Sequence, residues 1–349
     1  MHLLVFRFSA MGDVALVAPV LKNLLKNNAR LHITFVSRQG FKPFFYGIER
    51  LNFVAADLSG RHKGILGMYR LFYDLRNENT FDAVVDLHDV MRTWLLSAFF
   101  FLTGLKISRI NKGRAEKKKL VRQRNKVFKP LKHSRERYFD AFLPLGLYGN
   151  MAEPEYINPS PEGGTAVERF KQTNALGDKK TFWIAIAPFA RHDPKMWPLA
   201  NIATLIQMLS EKLAAKIFLF GGGEEEVRQL TALQSAYPYT INVSNQLSLQ
   251  EGLALLPQLD LMVSMDSSNM HMATLSGIKV ISIWGPTHPY AGFGALYQPD
   301  SYAIQVAHAE LPCRPCSVFG DKVCACCQHD CMKKISPEHV FENISKALM

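Results

Sequence analysis

Leu3-Leu4-Val5-Phe6-Arg7-Phe8-Ser9-Ala10-Met11-Gly12-Asp13-Val14 decides how the chain is read. It begins with a nearly unbroken apolar run of strand length, Leu3–Phe8, and then turns into a helical pattern from Val14 to Lys26. A strand apolar on both faces belongs inside a parallel sheet, where helices cover both sides. The alternation continues outward, with His32–Ser37 and Ala83–Leu87 as further strands. A second series follows: strand Phe182–Ala187, helix Leu199–Leu213, strand Lys216–Phe220 and helix Leu249–Leu256. It ends with strand Leu261–Met265, helix Asn269–Ser276 and strand Val280–Trp284. Residues 150–164, with three prolines and two glycines, read as the linker between the series. The economical architecture is α/β, with two doubly wound, Rossmann-like domains (1–158 and 159–349) facing a cleft. Ligands of such sheets bind at the carboxyl ends of the strands, so the loops there are the place to look for chemistry.

Composition narrows the partners. The 349 residues are 48% hydrophobic and 20% charged, which excludes a disordered or fibrous chain. Lys and Arg (41) exceed Asp and Glu (30) by +11, and +10 of that lies between Asn111 and Arg137. There, twelve cations face only Glu116 and Glu136. A charge run is ordinarily a solvated face, but such a face usually mixes signs. One sign alone points to phosphates, on a lipid surface, a nucleic acid or a phosphorylated substrate. The longest apolar run, Trp94–Leu105, falls short of the ~20 residues that cross a bilayer; it reads as a buried core helix in preference to an exposed one that helps hold the chain at a membrane surface. Arg7 interrupts the first apolar stretch and no small-residue cleavage site follows, which argues against a secretory leader and for the cytoplasm.

Several strand-end loops carry candidate chemistry. Gly12 suits a tight strand-to-helix turn, and Asp13 is either an ordinary N-cap or a general base. No G-x-x-x-x-G-K-[ST] is present and no G-x-G-x-x-G follows the first strand, which excludes a P-loop and weighs against a dinucleotide oxidoreductase. Arg191 and Lys195, in the loop Pro188–Pro198, are either solvated cations or a diphosphate clamp. Gly221-Gly222-Gly223-Glu224-Glu225-Glu226 offers carboxylates that either accept from ribose hydroxyls or complement a helix dipole. Met265-Asp266-Ser267-Ser268-Asn269-Met270-His271-Met272-Ala273 runs from a strand through small hydroxylated residues into a helix. Backbone N–H groups at that helix start make an anion site, flanked by Asp266 and His271.

All six cysteines fall within nineteen residues: Cys313, Cys316, Cys324, Cys326, Cys327 and Cys331. The first pair has the spacing of half a zinc site, and His329 adds a nitrogen, but no clean second pair follows. The metal question stays open at this level. Ser336-Pro337-Glu338 starts a final amphipathic helix.

Taken together these residues resemble the heptosyltransferases of lipopolysaccharide core assembly, glycosyltransferase family 9. The resemblance rests on Phe6–Asp13, Val85-Asp86-Leu87-His88, Lys195-x-Trp197-Pro198 and Asp266-Ser-Ser-Asn-Met-His271-x-Ala273. Trp284-Gly285-Pro286-Thr287 and Pro312-Cys313-x-Pro315-Cys316 complete it, in the family's order and along nearly the whole chain. It implies a GT-B fold with an N-terminal acceptor domain and a C-terminal nucleotide-sugar domain. The last helix, about 336–349, would pack back on the first domain. It further implies transfer of heptose from ADP-heptose, with inversion, to a hydroxyl of the lipopolysaccharide inner core. Asp13 matches the family's general base and Lys195 its diphosphate-binding lysine. Asp266 and His271 match its donor motif, in which Ser267 and Ser268 stand for the commoner Thr-Gly. Arg191 joins the diphosphate site, Glu225 (or Glu224 or Glu226) is assigned to the ribose, and Leu247 to the adenine. The acceptor side is assigned to Ser9, Arg109, Lys112 and Arg114. No cofactor is required on this reading, and a divalent metal ion would give weak assistance at most. The partners implied are the ADP-linked sugar, a phosphorylated lipid-linked saccharide and the cytoplasmic face of the inner membrane, with no nucleic acid. Two alternatives remain at this level: a transferase of the same fold using another nucleotide-sugar, and a catalytically silent nucleotide-sugar binder.

Overall fold

A computed structural model describes residues 1–326 and 328–349, and it divides into two compact units. The first comprises Met1–Gly113 with Lys132–Asn158, the second Arg114–Leu131 with Pro159–Met349.

The first unit runs β1 (His2–Phe6), α1 (Met11–Ala15), α2 (Val17–Asn27), β2 (His32–Ser37), β3 (Leu51–Ala55) and α3 (Gly64–Glu78). β4 (Ala83–Asp86), α4 (Met91–Phe101) and β5 (Lys106–Arg109) follow. Next in the chain, α5 (Arg114–Leu120) belongs to the second unit, and α6 (Ser134–Asp140) returns to the first. The sheet is parallel, in the order β3-β2-β1-β4-β5. β1 is central, and Leu3, Leu4, Val5 and Phe6 are fully buried, as a strand covered on both faces requires. The helical stretch after it breaks at Leu16. Pro19 falls in the first turn of α2, where a missing N–H costs no intrahelical bond.

The second unit continues with α7 (Pro161–Thr173), β6 (Trp183–Ala187), α8 (Leu199–Leu213), β7 (Lys216–Leu219) and α9 (Glu224–Ala236). Then come β8 (Thr240–Asn242), α10 (Leu249–Leu255), β9 (Leu261–Met265), α11 (Ser268–Leu275) and β10 (Lys279–Trp284). β11 (Ala303–Gln305), α12 (Asp330–Lys333) and α13 (Pro337–Leu348) end the chain. This parallel sheet has the order β11-β10-β9-β6-β7-β8.

Three expectations need correction. Residues 161–164 are not linker but the first turn of α7. The Ser160 hydroxyl accepts from the Gly163 N–H at 3.1 Å and caps the helix. A Cβ on Gly163 would stand 3.0 Å from the Gln250 carbonyl oxygen, so the glycine lets α7 and α10 close on each other. Second, residues 114–131, expected in the first domain, fold with the second unit. Phe128 stacks on His308 at 4.1 Å between centroids and meets His288 and Tyr290 edge-on or tilted. Lys117 lies 4.1 Å over the Phe293 ring, and Lys126 Nζ sits 2.7–3.1 Å from the carbonyl oxygens of Pro312, Cys313, Arg314 and Pro315. Within the second unit, α13 packs on α8 and β10. Val340, Ile344 and Ala347 enter that unit's core, and Trp197 Nε1 donates to the Ile335 carbonyl at 3.0 Å. Third, α4 is only half buried. Leu96 and Phe100 face the core, while Met91 (80% exposed) and Leu102 (81%) face solvent. Among the described residues no helix is long and apolar enough to cross a membrane.

One buried cation organises the second unit's last loops. Arg314, 1% exposed, donates from Nε to the Gly285 carbonyl (2.6 Å) and from Nη2 to those of Trp284 (3.1 Å) and Thr287 (3.3 Å). It also reaches Gln305 Oε1 (3.0 Å) and the Val306 carbonyl. Burial lowers its pKa to about 10, which leaves it charged at neutral pH. Replacing it strands several carbonyls at once. Arg314→Met is expected to lower unfolding free energy by about 3 kcal/mol in a denaturant titration.

Candidate functional site

The first unit reverses its strand order beside β1, between β1 and β4, and the motif residues meet there. Asp13 lies in the first turn of α1. Its Oδ2 is 2.9 Å from Arg7 Nη2, and its Oδ1 accepts from the Tyr138 hydroxyl at 2.9 Å. Arg7 is buried just past the end of β1, donates to the Leu87 carbonyl and lies 5.0 Å over the Tyr138 ring. Burial alone would depress its pKa, but Asp13 and Tyr138 outweigh that, and the pKa is raised. Burial pushes the Tyr138 phenol well up, so it stays a proton donor to Asp13. Asp13 is therefore fixed in place by two buried partners while its side chain stays 31% exposed. Its position is not that of the ordinary N-cap, which here falls to Ala10.

Ser9 Oγ lies 3.3 Å from His88 Nε2, and the Phe8 N–H reaches His88 Nδ1 at 3.4 Å. Burial, then the charges of Arg7 and Lys112, lower the His88 pKa to about 3, so the ring is neutral at physiological pH. Asp86, at the end of β4, accepts the backbone N–H groups of His88 and Asp89, each at 2.8 Å, and burial raises its pKa. Arg109 Nε stands 3.3 Å from Asp86 Oδ2, and Lys112 Nζ donates to the Asp89 carbonyl at 3.3 Å. Ser9, Asp13, Arg109 and Lys112 thus gather at one end of the first sheet. Arg114 opens α5 of the second unit.

The second unit reverses its order between β6 and β9. Lys195, buried at the end of the turn after β6, crosses that point: Nζ donates to the Asp266 carbonyl at 2.6 Å and approaches Asp266 Oδ2 at 3.4 Å. Gly320 makes room for it, since a Cβ there would stand 2.4 Å from Lys195 Cγ. Ser267 is the N-cap residue of α11, yet its hydroxyl pairs with Ser264 Oγ at 3.2 Å and caps no helix N–H. Ser268 begins the helix, and His271 is buried in it. Arg191 is exposed in the loop after β6. Glu225, in the first turn of α9, is engaged by Arg228 (2.6 and 3.0 Å) and Gln229 (2.6 Å), and the Arg228 hydrogen bond lowers its pKa. Glu226 instead folds back to accept the Gly222 N–H at 2.8 Å. Leu247 is half-buried in the loop after β8. Lys195, Asp266 and the start of α11 come together; Glu225 and Leu247 share their sheet edge.

Cys313, Cys316, Cys324, Cys326 and Cys331 line one cavity with Arg314, Lys322 and His329. Burial pushes the Cys316 thiol up, away from the thiolate that binds metal. Among the described residues no three His, Cys, Asp or Glu side chains are grouped to hold a metal ion, and Cys327 lies outside those residues.

Sequence reasoning assigned no role to Arg7, Tyr138, Gly320 or Arg314. Arg7 carried a signal, a charge between two apolar strand residues, whereas Tyr138 lies 125 residues from Asp13 and carried none.

Two parallel, doubly wound units with motif residues at both reversals define a glycosyltransferase of the GT-B class. The sequence profile of Glycosyltransferase family 9 (heptosyltransferase) matches residues 68–322, and the chain belongs to that family. It is 25% identical over 295 residues to a lipopolysaccharide core heptosyltransferase, OpsX, of Haemophilus influenzae, covering 82% of this chain and 80% of the relative. In fold it is similar to a family 9 glycosyltransferase of Veillonella parvula (TM-score 0.78, 19% identity, 99% and 97% of the two chains). It is also similar to E. coli heptosyltransferase WaaC with ADP-2-deoxy-2-fluoro heptose (0.66, 18%, 99% of each).

The low His88 pKa has a consequence for stability. Below pH 6.5 the unfolded chain takes up a proton that the folded one refuses until about pH 3. Stability is therefore expected to fall through that window, and less steeply in His88→Asn, as followed by denaturant midpoints at each pH.

Proposed function

We propose that this enzyme transfers heptose from ADP-heptose to a hydroxyl of the lipopolysaccharide inner core, with inversion. The observation that carries the reading is that each unit gathers family-motif residues at its strand-order reversal, a carboxylate in one and a lysine beside a helix start in the other. Asp13 takes the proton of the acceptor hydroxyl as its oxygen bonds to the anomeric carbon. The anomeric carbon–phosphate oxygen bond breaks, and ADP leaves with the electron pair. An ammonium has three donors. Asp266 engages two through its carbonyl and carboxylate, and the third serves the diphosphate. The uncapped N–H groups at the start of α11 and the exposed Arg191 supply the remaining positive potential. Ser267, Ser268 and His271 line the donor sugar, Glu225 the ribose and Leu247 the adenine. Ser9, Arg109 and Lys112 hold the acceptor. The acceptor is lipid-linked and acidic, which places the enzyme in the cytoplasm at the inner leaflet.

Thermal-shift measurements with ADP, UDP, GDP and NAD are expected to show stabilisation by ADP, lost in Lys195→Ala; a preference for UDP or GDP would change the donor. Asp13→Asn is expected to lower kcat by about 10²–10⁴-fold while keeping the ADP-induced shift. Near-full transfer by that variant would remove Asp13 from the mechanism. Tyr138→Phe, which takes one hydrogen bond from Asp13, is expected to cost about tenfold in kcat with KM for the donor unchanged.

A further inference from the structure

The outer side of α4 is apolar to a degree that a water-facing helix seldom is. At 3.6 residues per turn, Met91, Leu95, Ala98 and Leu102 form one row, with Trp94 and Phe101 on one flank and Phe99 on the other; Leu95 and Phe99 are half-buried against the core and the rest are exposed. Arg92 is the only charged residue in the helix. A helix apolar all round is ordinarily buried, but here the far side from Leu96 and Phe100 is open. α3 extends the surface. Phe99 meets the Tyr69 ring edge-on at 5.6 Å, and Ile65 and Leu66, each 73% exposed, continue the apolar ground toward the start of α3. Such a continuous patch on a soluble domain marks a place that something covers.

We propose that the outer faces of α3 and α4 dock on an anionic lipid bilayer. Its chemistry decides the occupant. Tyr69 and Tyr73 join apolar rings to polar tips, the arrangement that suits the headgroup boundary. The cations Arg70, Arg76 and Arg92 are all exposed on the same two helices. Of the two acids of α3, Asp74 is turned to Arg61 (2.8 Å) and His62 (3.2 Å), and Glu78 is the last residue of the helix. Aliphatic residues entering the acyl boundary and arginines above it reproduce the pattern of interfacial helices on acidic lipids. The surface is distinct from the basic segment 111–137, whose Lys117 and Lys126 are used in packing. It deepens the proposed function, and rests on it, by naming how a lipid-linked acceptor and the enzyme share one plane.

Vesicle binding tests it without any sugar transfer. The full-length protein is sedimented with phosphatidylglycerol–phosphatidylethanolamine vesicles and with phosphatidylcholine vesicles. Tighter binding to the former is expected, weakened at least about tenfold by Leu66→Ser with Leu102→Ser. Arg70→Gln with Arg92→Gln is expected to abolish the preference and its salt dependence. Both double variants replace exposed side chains and should keep the wild-type Tm and ADP response. Trp94 gives a direct readout, because Trp183, Trp197 and Trp284 are buried and brominated lipid should quench only Trp94. Absence of wild-type binding, or undiminished binding by the apolar double variant, overturns the proposal. So does self-association in sedimentation velocity that the same substitutions abolish while vesicle binding persists. Failure of the ADP response with patch-dependent vesicle binding intact counts against the donor site and leaves the surface supported.

Discussion

In both units the chain starts a parallel sheet in the middle, builds to one side and then returns to build on the other. Nothing can lie across the carboxyl ends of the two strands where the direction changes, since the connections leave in opposite senses. That gap is the constraint on which the rest depends. In the first unit it falls between β1 and β4 and receives Asp13, Ser9 and His88; in the second it falls between β6 and β9 and receives Lys195 and Asp266. The burial of β1 and β6 on both faces holds these positions inside their sheets.

The two gaps treat charge differently. In the first, Arg7 is buried and Asp13 remains partly open, so the fixed cation lies behind the working carboxylate. Arg7 and Tyr138 hold Asp13 in one orientation. In the second, the lysine itself is buried, its stem packed against Gly320 and its head beside Asp266. His88 adds a third pattern, a ring kept neutral by burial among cations, which orders Ser9 without adding charge.

The fold was legible because parallel strands write continuous apolar runs. His32–Ser37, Leu199–Leu213 and Leu261–Met265 match their elements residue for residue. The short strands β3, β5, β8 and β11 carry no such run and were not read. Pro161-Glu162-Gly163-Gly164 misled because its composition is that of a loop, while its glycine serves contact with α10. The strand-end motifs were legible in the same way, since they follow readable strands. What the sequence did not show was long-range: Tyr138 on Asp13, Arg314 across the Trp284–Thr287 loop, and the membership of residues 114–131 in the second unit. These depend on side chains that meet only after both sheets have formed. Glu225 shows the limit at closer range, for Arg228 and Gln229 lie within four residues of it and compete with any ligand.

The carbonyl cradle of Lys126 bears on the order of events during synthesis. Its partners, Pro312 to Pro315, come 186 to 189 residues later, so the segment leaves the ribosome long before its seat exists. Closing so long a loop is slow, and an apolar segment waiting that long would invite aggregation. A segment of one sign repels itself and stays solvated. The charge that stands out first in the sequence thus also acts as a solubilising tether, protecting a late-docking piece of the second unit until that unit is complete.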